Sequence, residues 1–280
     1  MKIYYSLFFF FFIIIIKSQG GFNVVYEADY KLVYKNQTKN AIIQDAAFAL
    51  LINEKESYYK NINQYVGDSL RLEKKLHENS PIDEQMKYTS DFPENIGTTT
   101  GKIYVTFKTS NEYFKYEETN NINWQLINEF KTIGKYKCQK AITKKYGRIW
   151  IAYFTKDIPF PFGPYKFSKL PGLILEVFDD KDDYHFTMYN FRKRKYYCSS
   201  ANLHPNAKPV KKEKIFDYQR KELTDPTLYN KFIEDPEERR SLLKKAGNRA
   251  KNYNPIELCI YTKKTSLKDV FLIKRIYFNL

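Results

Sequence analysis

The chain has 280 residues, 43% hydrophobic and 18% aromatic, with a net charge of +15. That length suits one large domain or two small ones and is enough to bury a sizeable core. The positive charge is scattered, with short clusters only at residues 192–195 and 208–214; this fits solvated lysine-rich faces better than a nucleic-acid footprint, so no nucleic-acid partner is expected.

In chain order, Lys2, a ten-residue apolar run over 7–16 and Lys17-Ser18 come first. This is the layout of a secretory signal peptide. The run is too short to span a bilayer, which takes roughly 20 apolar residues. Residues 1–18 are therefore read as a cleaved signal, leaving 19–280 as a single mature domain of net charge +13. The expected location is the periplasm or the cell exterior, with no membrane-spanning helix. No cysteine lies near the cleavage point to accept a lipid.

Residues 23–34 read as a strand, and 47–53 and 56–60 as two more around a Glu-Lys turn. The spacing of Val66, Leu70, Leu72 and Leu76 predicts a helix over 65–78. Residues 79–101, rich in Pro, Asp, Thr and Asn, read as a loop or mobile segment. Strand character resumes at 103–107 and 113–116. Residues 124–130 then lead into a series of strands at 136–143, 148–155, 173–178 and 184–191, whose short links pair them antiparallel. Asp225-Pro226 and Asp235-Pro236 each carry an N-cap followed by proline at the first helical position. The second predicts a helix over 236–246, stopped by Gly247. Residues 270–278 read as a closing strand. The predicted fold class is α+β, a curved antiparallel sheet with flanking helices.

Strand alternation places Cys138 with Tyr136 and Ile142 on an apolar face, as expected for a buried, unbridged thiol. If the exported chain forms a disulfide, Cys198 with Cys259 is the candidate pair.

The most distinctive stretch is Gly163-Pro164-Tyr165-Lys166-Phe167-Ser168-Lys169-Leu170-Pro171-Gly172-Leu173-Ile174. Leu170-Pro171-Gly172-Leu173 suits a type II turn, with Pro second and Gly third. With Ile133-Gly134-Lys135-Tyr136-Lys137-Cys138, Gly147-Arg148, Ala152-Tyr153-Phe154-Thr155 and Ile158-Pro159, it resembles the GLPGLI family of exported Gram-negative proteins, in family order over about 124–189. Asn254-Pro255-Ile256-Glu257 resembles a family ending. Tyr153 stands where the family often has Trp. Lys169 stands where it usually has the first Gly of its name, which implies that positive φ is not needed there. The family has no established activity, so the resemblance implies no catalytic residue.

Nucleophile elbows, dinucleotide fingerprints and phosphate loops are missing from the sequence. His77, His185 and His204 are far apart, and none has a partner at metal-ligand spacing. The sequence therefore points away from an enzyme and calls for no cofactor or metal. Residues 179–183 (Asp-Asp-Lys-Asp-Asp) read as a solvated hairpin turn rather than a calcium loop. Glu176 reads as a lone carboxylate and His185 as a hydrogen-bonded structural histidine.

What remains is an aromatic and Pro-rich rim at 158–165. It either plugs the core or offers an apolar surface to a ligand. The strand order looks loosely like lipoprotein-sorting and lipid-carrier half-barrels, an analogy at fold level only. On that reading a groove would be formed by Trp150, Tyr153, Pro159, Gly163, Pro164, Tyr165, Leu170, Pro171 and Gly172. The expected function is a non-catalytic cell-envelope protein binding a lipid, lipoprotein or peptide in that groove. The rival is an accessory partner of an outer-membrane transport or secretion complex, which expects an exposed aromatic patch instead of a cavity.

Overall fold

The computed structural model describes residues 21–39, 41–77, 79–108, 112–199, 206–224 and 235–258. The signal segment, Asp225-Pro226, His204, Cys259 with the Cys198–Cys259 pair, and the strand expected at 270–278 lie wholly or partly outside them.

Twelve strands form one curved sheet: β1 (Phe22–Tyr34), β2 (Gln44–Ile52), β3 (Glu56–Asn61), β4 (Glu94–Thr99), β5 (Lys102–Lys108), β6 (Tyr113–Thr119), β7 (Gln125–Ile133), β8 (Tyr136–Lys145), β9 (Arg148–Thr155), β10 (Leu173–Asp179), β11 (Tyr184–Cys198) and β12 (Lys208–Pro209). Their spatial order is β12-β6-β5-β4-β3-β2-β1-β11-β10-β9-β8-β7. Two antiparallel meanders, β1 to β6 and β7 to β11, join where β1 pairs with β11 along nearly their whole length. Among the described residues the one parallel contact is the short β12 beside β6. The fold class is the α+β curved sheet that the sequence predicts.

One face carries the main core. Tyr30, Leu32, Phe48, Leu50, Ile96, Val105, Trp150, Phe154, Val177 and Phe186 all converge there. The helix α1 (Ile62–Leu72) covers a smaller cluster of Phe22, Val24, Ala49, Leu51 and Cys198. It begins where the Asn61 side chain accepts from the backbone N–H groups of Asn63 and Gln64. The apolar spacing thus marks a real helix but misplaces it: it starts at Ile62 and is over by Leu72.

The stretch 79–101 is a correction. It holds a short helix, α2 (Ile82–Met86), and the interior strand β4, hydrogen-bonded on both sides to β3 and β5. Two further helices, α3 (Lys212–Thr224) and α4 (Pro236–Asn252), pack on one another, and α3 also meets β6. Asp235 caps α4 as expected, its carboxylate accepting from Glu237 N–H. Gly247 does not stop it: Gly247 has no positive φ, so the helix runs on to Asn252. It ends where Tyr253 turns extended ahead of Asn254-Pro255. α3, which begins within the basic cluster at 208–214, has no counterpart in the sequence reading.

Candidate functional site

The segment 156–172 leaves β9, crosses the core face and returns as β10. Its prolines explain its path. Phe160 N–H donates to Ile158 O, Phe162 N–H to Phe160 O and Gly172 N–H to Leu170 O, each at 2.8 Å. These are three-residue turns centred on Pro159, Pro161 and Pro171, whose fixed φ suits that bend. Leu170-Pro171-Gly172-Leu173 is therefore no type II turn, because Leu173 N–H is drawn instead to Ile158 O at 2.9 Å. Gly172 has φ +151°, and a Cβ there would sit 1.9 Å from Thr155 O. Lys169 corrects the expectation outright: its φ is +68°, so this position is left-handed despite the lysine.

Apart from Tyr153, which points to the opposite face beside Lys131 and Glu129, the candidate groove residues are brought together, but as packing. Trp150, Leu170 and Phe167 are almost wholly inaccessible, and the Trp150 and Phe167 rings lie 4.6 Å apart. Tyr153, Tyr165, Gly163, Pro164 and Gly172 are buried as well, while Pro159 and Pro171 face solvent. Ile158, Phe162 and Phe167 are buried in the same core cluster as Trp150. Beside them, Phe48, Tyr59, Phe92, Glu94, Ile96, Tyr165 and Phe186 line a void of about 10 Å³ for a water centre, room for about one water. Among the described residues the rim packs into the core as a plug, and most of the named groove residues are buried in it.

Beneath the plug lies a polar centre that sequence reasoning missed. Lys166 is 1% exposed and Glu257 0%. Lys166 Nζ donates to Glu257 Oε1 at 2.6 Å and to Tyr116 Oη at 2.8 Å, and meets Glu118 Oε1 at 3.1 Å. Tyr165 Oη donates to the same Glu257 oxygen at 2.6 Å, and Lys212 of α3 reaches Glu257 Oε2 and Glu118 Oε2, both at 2.6 Å. The Lys166 ammonium also stands over the rings of Tyr116, Tyr146 and Tyr165. Tyr165 is left-handed, with φ +54°.

Burial pushes the Lys166 pKa down, but Glu257 and Glu118 outweigh it and hold it above the ordinary lysine value. Burial likewise raises Glu118, yet Lys166 and Lys212 bring it down to about 2. Glu94, partly buried on β4, has no such pair, and burial lifts its carboxyl to about 7. The hub is a charge-balanced cage.

A second anchor lies at the end of β9. Buried Arg148 donates to Asp179 Oδ2 at 2.7 Å, Asn254 Oδ1 at 2.6 Å, Pro255 O at 2.7 Å and Ile256 O at 3.2 Å. Asn254 also donates to Lys35 O, and its carbonyl accepts from Tyr184 Oη at 2.6 Å. The motifs at Gly147-Arg148, Gly163–Gly172 and Asn254–Glu257 thus meet in one knot. The available signal was charge: Lys166 in one motif and Glu257 in another are both apolar-flanked ions that need a partner.

On the opposite face, Glu176 is not alone. His185 Nε2 lies 3.0 Å from Glu176 Oε1, and its Nδ1 lies 2.8 Å from Asp182 Oδ1. The two carboxylates hold the imidazole pKa above its usual value, the Glu176 bond first. Lys131 pairs with Glu176 and stands 3.8 Å over the Tyr153 ring. With both ring nitrogens facing carboxylates, His185 is the hydrogen-bonded structural histidine that the sequence suggests. Cys138 is buried as expected; burial pushes its thiol up to about 11.

No family model and no curated protein matches the chain. Among solved structures it is similar to PNGF-II in two crystal forms, each with a TM-score of 0.50 at 16% identity, over 69% of this chain and 32% of PNGF-II. The chain thus matches about a third of PNGF-II's length, and the likeness speaks for the fold alone. A putative outer membrane lipoprotein-sorting protein domain from Vibrio parahaemolyticus overlays at a TM-score of only 0.20 with 8% identity, over 64% of this chain and 87% of that one, too loose to carry an argument. No described helix is long and apolar enough to cross a membrane.

Proposed function

We propose that this chain is an exported, non-catalytic cell-envelope protein of the GLPGLI kind, acting as a structural or accessory partner of an outer-membrane transport or secretion complex. It meets its partner with the sheet and holds no ligand inside it. The observation that carries this reading is the packed core face: among the described residues the void beside the plug has room for about one water, where a lipid carrier needs an apolar cavity of several hundred Å³. Export rests on residues 1–18 and the family kinship on the ordered motifs.

The reading is tested by native mass spectrometry of the protein purified from the envelope of the cells that make it. We expect the mature chain free of lipid and in complex with an envelope protein or lipoprotein. A lipid bound one-to-one to the isolated chain would overturn it.

A further inference from the structure

The two margins of the sheet differ. At one, the two-residue β12 and α3 close off β6. At the other, nine-residue β7 is hydrogen-bonded to β8 alone among the described residues. An unpaired edge of this kind is a template for another strand. The register between Leu126 and Phe130 is irregular, so the straight template is 130–133.

Leu126 and Phe130 are each 48% exposed on β7, whose other apolar residues, Ile127 and Ile133, are half-buried. They pair with Ala141 and Gln139, which pair in turn with Ala152 and Phe154. Both therefore lie on the core-bearing face, at its open margin, where an added strand would cover them.

Charge selects the occupant. From Gln125 to Lys145 the hairpin carries six lysines and a single acid, Glu129. Lys131 and Lys140 are paired with Glu176 and Glu129. Among the described residues Lys135, Lys137 and Lys144 meet no carboxylate, and Lys137 stands over the Phe130 ring. Two copies joined through β7 would set two such basic hairpins side by side, which disfavours self-pairing.

We infer that the edge of β7 left unpaired by the described residues docks an extended segment of a partner protein that is apolar at alternate positions and acidic beside the β7–β8 turn. The segment adds a strand to the sheet, covers Leu126 and Phe130, and neutralises Lys135 and Lys137. This inference rests on the accessory-partner reading above.

Fluorescence anisotropy with three labelled nonapeptides tests it: one alternating Val with polar residues and ending in Glu, one identical but N-methylated at alternate amides, and one with Lys replacing Glu. The first should bind the full mature chain. N-methylation, the charge swap, and the Leu126→Glu/Phe130→Glu double variant should each weaken binding at least about tenfold. Folding of the variant is checked by its Tm. Equal binding of the N-methylated peptide would reduce the effect to charge attraction and overturn the inference. So would binding unmoved by the double variant, or sedimentation showing dimers that the double variant dissolves. If no peptide binds while the envelope complex still forms, the edge assignment falls and the accessory reading stands.

Discussion

The plug at 156–172 and the strand β7 lie on the same sheet and treat polar groups in opposite ways. Within the plug, even an ammonium and a carboxylate are sealed from water and matched, Lys166 to Glu257 and Glu118. Along β7, backbone and apolar side chains stand open at a margin rich in lysine. A buried ionic knot tolerates few substitutions: removing one partner strands the other in a low-dielectric interior. An open strand edge is tolerant, because it offers main-chain hydrogen bonds that any sequence can supply. Conspicuous sequence here marks architecture.

The sharpest way to break this contrast is to cut the knot. Arg148→Ala leaves Asp179 buried without its cation and releases Asn254, Pro255 and Ile256; we expect a loss of about 3–5 kcal/mol, read as a large fall in Tm. Gly172→Ala should destabilise by more than about 2 kcal/mol, since its Cβ meets the Thr155 carbonyl oxygen. A Tm unchanged by either would mean the plug is not anchored as described.

The hub's pH dependence sharpens the picture. Glu94 titrates near 7 in the fold against 4.5 in the free side chain, so the folded state keeps a proton that the unfolded state has released. Its contribution to stability therefore falls as pH rises from about 4.5 to 7. Glu94→Gln should flatten that limb and raise Tm at pH 8 by an amount worth about 1–3 kcal/mol, with little change at pH 4. Glu118 has the opposite sign: its stabilisation is present above 4.5 and is lost as pH falls toward 2. Thermal melts of Glu118→Gln should lack that acid limb.

Smaller effects follow. Lys169→Gly relieves a left-handed residue that is exposed, and should stabilise by up to about 1 kcal/mol. Phe130→Glu, at the open margin, should move stability by no more than about 0.5 kcal/mol.

The strands with regular alternation and short turns were legible in the sequence. Tyr146-Gly147, both at positive φ (+56° and +81°), close the β8–β9 hairpin where the turn residues put it. Strand β4 was not legible: Glu94-Asn95-Ile96-Gly97-Thr98-Thr99 has turn-like composition, and only its two flanking ladders make it a strand. Lys169 misled because local sterics disfavour lysine at positive φ, yet Lys169 N–H donates to Pro161 O at 2.9 Å and its neighbours are fixed by the plug. The hub stayed hidden because Lys166 and Glu257 stand 91 residues apart and meet only through tertiary packing.

Hydrogen exchange of the mature chain with and without the acidic nonapeptide tests the contrast most directly. We expect amides at 158–174 to be among the slowest in either state, with peptide-dependent protection confined to 125–133. Fast exchange at 158–174, or protection that appears there when the peptide binds, would contradict the division between a sealed plug and an open edge.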